Sequence, residues 1–292
     1  MHWQKVQTDV EYIQNRQYLI CTCEYFAGNK GASKTKIMKT LILTSKLDAY
    51  TEENGQKTAK NFGNEKNILD NIKTNTKKFD NFVFVASDFQ DTKTNELYAN
   101  VIFKSFDLTC PFKNYVLLDE RNADQAEQIL KNADLIYLSG GHVPTQNAYF
   151  AKYNLAKYIK KSKALVVGVS AGSMNCANIV YAQPELAGES VDKKYKRYLR
   201  GLGLTKISIL PHFDFSKHPR LDGKSIFENL CLPDSTKRPF IAIPDGSYIL
   251  QQDGKIWIYG KSHLFANGEC KTLSANNQTK DITALINNLY QK

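Results

Sequence analysis

The chain has 292 residues, 42% of them hydrophobic and 23% charged, which is usual for a globular protein and excludes a disordered or collagen-like one. No apolar run approaches the ~18 residues of a membrane-spanning helix, and the first residues lack the features of a signal peptide, so we expect a cytoplasmic protein without a membrane partner. The formal net charge is +10, but only six of the 39 basic residues are arginines and the lysines are scattered, so we predict no nucleic-acid partner.

Residues 1–37 show no convincing periodicity, and we interpret them as an N-terminal extension, the alternative being upstream sequence of a protein that starts at Met38. From residue 38 onward, short apolar runs typical of buried strands alternate with stretches of helical spacing. This alternation favours an α/β fold in which a mostly parallel sheet is covered by helices on both faces. The predicted strands of this first part are 40–45, 81–86, 115–119, 135–139 and 164–169, and the predicted helices are 92–106, 123–132 and 145–161.

The second half of the chain continues the strand pattern with apolar runs at 206–210 and 239–243. The segment 248–259, with a turn at Gly254, is typical of an antiparallel hairpin. No linker and no internal repeat divides the chain after Met38, so we expect residues 38–292 to form a single domain.

The motif Gly-Val-Ser-Ala-Gly at residues 168–172 follows the strand 164–169 and precedes a predicted helix over 171–180. A nucleophile elbow requires this strand–turn–helix context, because a sharp turn with small neighbours exposes the serine oxygen at the carboxyl end of the strand. The start of a helix also favours negative charge that develops during the reaction. We therefore predict that Ser170 is a nucleophile, and the alternative is a plain tight turn.

A second glycine-rich turn, Ser-Gly-Gly-His at residues 139–142, follows the strand 135–139. Its backbone N–H groups lie at the same predicted sheet edge as Ser170. Together with the amide of Ala171, they are suited to an oxyanion hole. The alternative is a loop in which glycine serves only to allow a positive φ angle.

A serine nucleophile needs a base, and the base needs an acid that orients it. Among the five histidines, His212 is the best placed, because it closely follows the predicted strand 206–210. His142 is the second choice for the base, and a substrate contact or a loop position suits it better.

Two carboxylates are candidates for the orienting acid. Glu185 lies 15 residues after Ser170, and Asp245 lies in a Pro-Asp-Gly turn after the strand 239–243. A simple turn without a catalytic role is the alternative for Asp245, since Asp-Gly is a common turn dipeptide.

The cysteines and histidines do not predict a metal site. Of the six cysteines only Cys21 and Cys23 are close together, and no second pair completes a metal-binding spacing. The histidines lack the H-E-x-x-H pattern of zinc peptidases. We therefore expect free thiols, no metal and no cofactor.

Four motifs in chain order resemble the dipeptidase E family of serine peptidases, to which cyanophycinase is related. The resemblance spans about residues 38–260, and it implies a fold like that of the class I glutamine amidotransferases, a three-layer α/β/α sandwich, with serine in place of their cysteine. The motifs are Ser-Gly-Gly at 139–141, Gly-Val-Ser-Ala-Gly-Ser at 168–173, Gly-Leu-Gly-Leu at 201–204 followed by Pro-His-Phe at 211–213, and Ile-Pro-Asp-Gly at 243–246.

The resemblance implies roles for several of these residues. Ser170 matches the family's nucleophile and His212 its base. Gly141 and Ala171 match the oxyanion-hole positions.

The acid stays open between two matches. Glu185 matches an acidic residue that follows the family's serine, and Asp245 matches the glutamate of the family's Pro-Glu-Gly turn. We prefer Asp245, because it ends a strand near the sheet edge that bears the other two residues.

The resemblance also implies peptides with an N-terminal aspartate as substrates, bound by an arginine downstream of the histidine. Arg220 lies close to the expected place but does not align cleanly with it, so this specificity stays open. Gly140 and His142 are further candidates for substrate binding, because they lie in the glycine-rich turn.

These observations predict a cytoplasmic serine exopeptidase or dipeptidase that hydrolyses small peptides through an acyl-enzyme. An α/β-hydrolase esterase shares the G-x-S-x-G motif, but its acid precedes a late histidine. A catalytically silent binding or regulatory protein on the same fold is the other alternative. The sequence leaves the oligomeric state open.

Overall fold

The computed structural model describes residues 39–290. The expected extension over residues 1–37 and the thiols of Cys21 and Cys23 lie outside the described residues. The division of the chain at residue 38 therefore stays a prediction.

Strands make up much of the described chain, and most are short. In chain order they are β1 (Leu41–Thr44), β2 (Tyr50–Glu53), β3 (Gln56–Ala59), β4 (Asn81–Val85), β5 (Asn114–Leu118), β6 (Leu135–Leu138), β7 (Leu165–Val169), β8 (Ile179–Tyr181), β9 (Tyr198–Arg200), β10 (Ile209–Leu210), β11 (Arg220–Leu221), β12 (Lys224–Ser225), β13 (Phe240–Ala242), β14 (Tyr248–Gln252), β15 (Lys255–Tyr259), β16 (Ser262–Ala266), β17 (Glu269–Ser274) and β18 (Thr279–Asp281).

The helices mostly connect the parallel strands. They are α1 (Ile68–Asn75), α2 (Thr92–Thr109), α3 (Ala126–Asn132), α4 (Val143–Lys152), α5 (Leu155–Lys161), α6 (Ala171–Asn175), α7 (Leu232–Ser235) and α8 (Thr283–Leu289). None of the helices within residues 39–290 is both long and apolar enough to cross a membrane.

The main sheet has eight strands in the order β18-β15-β14-β1-β7-β6-β4-β5. The strands from β1 to β5 in this order pair in parallel, and β14, β15 and β18 extend the sheet as antiparallel strands. The hairpin β14–β15 turns at Asp253 and Gly254, which both have positive φ angles (49° and 79°), as a two-residue hairpin turn requires. The prediction of a mostly parallel sheet with a late antiparallel hairpin is confirmed.

Apolar residues on both faces of the main sheet are buried, which explains the continuous apolar runs in the sequence. In β4, Phe82 and Phe84 belong to a core beneath α1 and α2, whereas Val83 and Val85 belong to a core on the opposite face. The second core is completed by residues of α3, α4, α5 and α6. The described chain therefore has the three layers of an α/β/α sandwich.

A second sheet of four strands, in the order β10-β13-β16-β17, packs onto the second core. The predicted strands 206–210 and 239–243 contribute β10 and β13, which pair in parallel with each other in this sheet and are not part of the main sheet. An apolar run shows only that a strand is buried, and partners far away in the chain decide which sheet it joins.

Two predicted helices differ from the observed ones. The helix expected over 145–161 is divided into α4 and α5 at Asn154, whose φ angle is 55°. The helix expected over 171–180 ends at Asn175, and the chain then bonds to residues 201–205 through backbone hydrogen bonds. This tertiary pairing ends the helix earlier than the local sequence indicates.

Candidate active site

The carboxyl ends of three parallel strands meet at one edge of the main sheet. Leu138 in β6 pairs with Gly168 in β7, and Val169 pairs with Thr44 in β1. The turns that follow these strands are therefore neighbours. They carry the glycine pair, Ser170 and Ser45, respectively.

Ser170 lies between β7 and α6 with a backbone conformation that is unusual for a residue with a side chain (φ 52°, ψ −118°). Such strained backbone persists only where its surroundings hold it. The Ser170 N–H donates to the carbonyl of Thr44 (3.0 Å), and the Ser173 hydroxyl donates to the same carbonyl (2.8 Å). Ser170 is partly exposed while all residues of α6 are buried, so the turn presents this serine to solvent.

The two glycines of the motif are required by close packing of the turn. A Cβ atom on Gly168 would lie 2.8 Å from the Ser173 Cα atom, and one on Gly172 would lie 2.2 Å from the Leu138 carbonyl oxygen. The second contact is between backbone groups of adjacent units, so no side-chain movement relieves it. The motif is thus a structural requirement for the approach of α6 to β6.

The glycine pair after β6 lies against the Ser170 turn. A Cβ atom on Gly140 would lie 3.2 Å from the Ser170 Cβ atom, which places this backbone in contact with the serine. Gly141 has a φ angle of 153°, and a Cβ atom there would lie 2.3 Å from the Ser87 hydroxyl oxygen. Among the described residues, neither the Gly141 nor the Ala171 N–H takes part in a backbone hydrogen bond, so both remain as donors.

His212 and Asp245 form the closest ionisable pair of the candidate site. Their Nδ1 and Oδ1 atoms are 2.7 Å apart, and about half of each side chain is exposed (47% and 55%). The hydrogen bond from His212 is the largest cause of the lowered pKa of Asp245. An ionised Asp245 accepts from Nδ1–H, which leaves Nε2 as the basic ring nitrogen.

The two residues of this pair come from the second sheet. His212 follows β10 and Asp245 follows β13, and these strands are parallel neighbours. The preference for Asp245 assumed a strand end near the sheet edge that bears Ser170 and His212. Asp245 does follow a strand end, but that strand, β13, lies beside β10 in the second sheet, whereas Ser170 follows β7 of the main sheet. The two sheets place their strand ends side by side instead.

Ser45, which was not among the residues predicted for the site, connects the two sheets at this point. Its buried hydroxyl donates to the Ile243 carbonyl (2.9 Å) and accepts from the His212 N–H (3.1 Å). His212 has a φ angle of 55°, so this bond holds a strained backbone. Ser45 directly follows β1, the strand next to β7, and its place at the end of the predicted strand 40–45 was the signal in the sequence that could have identified it.

Glu185 is close to two histidines but hydrogen-bonded to neither. It lines a cavity of about 400 Å³ beside His212, formed by parts of the segments 183–185, 210–219 and 225–228, which we call the His212 cavity. Although solvent reaches Glu185, surrounding protein atoms desolvate its carboxyl and raise its pKa to about 7. The charges of His142 and His212 act against this rise in the pKa.

His142, a predicted substrate contact, is engaged on both sides of its ring. Nδ1 lies 2.8 Å from the Thr145 hydroxyl, and Nε2 lies 2.8 Å from a carboxylate oxygen of Glu189. The other oxygen of Glu189 accepts from the N–H groups of Glu185 and Leu186. Burial opposes ionisation of Glu189, but these hydrogen bonds together lower its pKa. The His142–Glu189 pair therefore ties the glycine-rich turn to the segment that carries Glu185.

Arg220 does not reach the His212 cavity. It is exposed in the small hairpin β11–β12, and its guanidinium donates to the Gly223 carbonyl of the same hairpin. The residues that line the cavity include no arginine. Arg220, a candidate for substrate binding whose match to the family's arginine was left open, therefore lies outside this cavity.

The four cysteines within the described residues are free, and burial raises the pKa of each thiol. High thiol pKa values disfavour the thiolate form that nucleophilic catalysis needs. Within residues 39–290, no group of three or more histidine, cysteine or acidic residues is arranged to hold a metal ion.

Comparisons with known proteins agree with this architecture. The model of peptidase family S51 matches residues 54–259, a range that contains the glycine pair, Ser170, His212 and Asp245. A search of curated proteins found no significant match. Among solved structures, the chain is similar to a candidate peptidase E protein from Listeria monocytogenes EGD-e, with 16% identity and a TM-score of 0.51 over 81% of this chain and 100% of that chain. This likeness confirms the expected α/β fold class.

Proposed function

Because the chain belongs to peptidase family S51 and is therefore a peptidase, we propose that it hydrolyses small peptides with Ser170, His212 and Asp245 as a catalytic triad. The observation that carries the proposal is the 2.7 Å hydrogen bond between His212 Nδ1 and Asp245 Oδ1. This pair is tied through Ser45 to the strand beside the Ser170 turn. A carboxylate on Nδ1 orients the ring and stabilises its protonated form.

In the proposed mechanism, His212 Nε2 removes the proton from Ser170 Oγ as the oxygen attacks the scissile carbonyl carbon. The N–H groups of Gly141 and Ala171 stabilise the negative charge on the carbonyl oxygen. The protonated His212 then gives its proton to the leaving amine, and the C–N bond breaks. Water, deprotonated by His212, attacks the carbonyl carbon of the resulting Ser170 ester. The bond between that carbon and Ser170 Oγ then breaks, His212 returns the proton to Oγ, and the acid product is released.

The order of the three residues distinguishes this proposal from an esterase of the α/β-hydrolase fold. In that fold the acid precedes the histidine in the chain, whereas Asp245 follows His212 by 33 residues. Dipeptidase activity is supported by the four motifs that resemble dipeptidase E. Intact candidate groups for nucleophile, base and acid also favour an enzyme over a silent binding protein.

A fluorophosphonate probe tests the proposal, because it labels a serine only when a base activates that serine. We expect one labelled residue, Ser170, and loss of labelling in Ser170→Ala and His212→Ala. The exposed Ser216 does not line the His212 cavity, so Ser216→Ala is a control that keeps the label. Peptide hydrolysis should fall by about four to six orders of magnitude in Ser170→Ala. A protein that hydrolyses peptides without labelling, or keeps turnover in Ser170→Ala, contradicts the proposal.

A further inference from the structure

The His212 cavity offers a surface to substrate that the proposed mechanism does not use. His212 forms part of its wall, so whatever fills the cavity lies next to the proposed base. Its volume of about 400 Å³ falls within the range of pockets for small ligands, ~300–1,000 Å³. The other residues that line the cavity therefore influence which peptides can bind as substrates.

Aromatic rings form much of this wall. The ring centroids of Phe213 and Phe215 are 4.5 Å apart, and those of Phe215 and Phe227 are 5.2 Å apart, both in edge-to-face geometry. Phe213 also packs on Phe265, which is fully buried in the core. The rings are thus supported from behind by the second sheet, and Ile226 and Pro219 extend the apolar surface.

Phe215 leaves apolar surface exposed at this concave site. It is 39% exposed, although its neighbours Phe213 and Phe227 provide apolar contacts. When a ligand covers a large apolar side chain that is exposed in a concave site, apolar surface is removed from water, which makes binding more favourable. Phe215 is one of the residues that line the His212 cavity, so its apolar surface is available where substrate would bind.

The charged residues of the lining disfavour an anionic ligand. The described residues that line the cavity include three acids, Glu185, Asp214 and Glu228, and one lysine, Lys217. Because the pKa of Glu185 is about 7, this carboxyl is only partly ionised at neutral pH, and the net charge of the lining lies between −1 and −2 with histidine neutral. The Lys217 Nζ atom lies 3.7 Å from a carboxylate oxygen of Asp214, so the positive charge of Lys217 is already paired within the lining. The lining is therefore negative in a chain whose net charge is +10.

We propose that the His212 cavity is the subsite for a neutral apolar side chain, aromatic by preference, of a substrate residue that flanks the scissile bond. The cavity accordingly discriminates against aspartate and glutamate side chains at that position. This inference rests on the proposed function for the location of the scissile bond. It follows from the three aromatic rings, the exposed face of Phe215 and the negative lining.

A panel of dipeptides tests the inference on the full chain. One series varies the first residue and the other the second, with phenylalanine, leucine, alanine, aspartate or lysine at the varied position. In one of the two series, kcat/KM should be about 10- to 100-fold higher for phenylalanine than for aspartate or alanine. A preference for aspartate or lysine, or equal values in both series, overturns the inference.

Variants of the exposed ring sharpen the test without disturbing the core. Phe215→Ala should lower the phenylalanine-to-alanine ratio of kcat/KM toward one, and Phe215→Leu should retain most of it. Phe215→Arg adds a cation to the wall, so it should raise kcat/KM for aspartate relative to phenylalanine. Leu108, 59% exposed in α2 and outside the cavity, provides the matched control Leu108→Ala, which should keep the wild-type ratios. Unchanged ratios in all Phe215 variants overturn the inference.

A binding measurement separates this inference from the proposed function. Calorimetry on full-length Ser170→Ala needs no turnover, and it should show ~10-fold tighter binding of the preferred phenylalanine dipeptide than of its aspartate counterpart. Equal or reversed affinities overturn the subsite even if Ser170 is labelled by fluorophosphonate. Conversely, apolar selectivity without any labelling leaves the subsite standing and removes the triad.

Discussion

The Ser170 turn and the His212–Asp245 pair are built in opposite ways. The turn is a compact piece of local chain, in which Gly168 and Gly172 have no room for a Cβ atom. The pair is about half exposed, and its two residues come from separate strands of the second sheet. The nucleophile therefore depends on packing between β6, β7 and α6, whereas the proposed base and acid depend on how two sheets meet.

Ser45 connects the Ser170 turn to the His212–Asp245 pair. Its hydroxyl bonds to the backbone of His212 and of Ile243, while the adjacent Thr44 carbonyl accepts from Ser170 N–H. One strand end thus supports both halves of the candidate site. The comparison predicts that damage to the turn reduces stability, whereas damage to the pair mainly reduces rate.

After loss of the nucleophile, replacement of the proposed acid should reduce the rate most. Asp245→Asn should reduce the single-turnover rate by about 10²- to 10⁴-fold, because an amide no longer favours the required histidine tautomer. Glu185→Gln should have a much smaller effect, since Glu185 makes no hydrogen bond to His212. Both variants should keep wild-type thermal unfolding within a few degrees. The reverse ranking of the two rates would reassign the acid to Glu185.

The second prediction concerns stability and the packing of the Ser170 turn. In Gly172→Ala a Cβ atom would lie 2.2 Å from the Leu138 carbonyl oxygen, so the free energy of unfolding should fall by about 3 kcal/mol or more. Chemical denaturation followed by circular dichroism measures this loss. Gly63→Ala is the matched control, because nothing lies within 4 Å of its Cβ position. Equal stability of the two variants would contradict the tight packing of the turn.

A smaller effect concerns Ser45, which we regard as a positioning residue. Ser45→Ala should lower kcat by roughly 10-fold and slow fluorophosphonate labelling, because the strained His212 backbone loses its hydrogen bond. Ser105→Ala removes a buried hydroxyl that donates to the Lys60 carbonyl far from the site, and it should cost similar stability while leaving the rates unchanged. If both variants affect kcat equally, Ser45 has only a structural role.

The smallest effect is a pH dependence caused by Glu185. Its pKa of about 7 in the folded chain exceeds the usual glutamate value of 4.5, so the folded state holds this proton more tightly than the unfolded state. The stabilising contribution is present at low pH and is lost as the pH rises through 7. Thermal melts of Glu185→Gln should therefore match wild type near pH 4.5 and exceed it at pH 8 by roughly 1–3 °C, since solvent screening at the exposed side chain keeps the effect small. A difference that shrinks with rising pH would contradict this sign.

The contacts that form the His212 cavity could not be predicted from the sequence. Phe213 and Phe215 follow His212 directly, yet nothing in that spacing indicated that their rings join Phe227 around one cavity. Arg220 was considered because the resemblance to dipeptidase E implies a substrate-binding arginine downstream of the histidine, but its guanidinium bonds to the Gly223 carbonyl of its own hairpin. Contacts between loops depend on the whole fold, so a short sequence window does not determine them.

Apolar runs and glycines at fixed short spacing were enough to predict the parallel strands, their alternation with helices and the turn at Ser170. Contacts between distant parts of the chain were needed to show that β10 and β13 form a second sheet, that His212 bonds to Asp245 and not to Glu185, and that Ser45 joins the two halves. Local conformation is governed by neighbouring residues in the chain. Pairing between residues tens to hundreds of positions apart depends on burial and register, which become fixed only when the layers pack together.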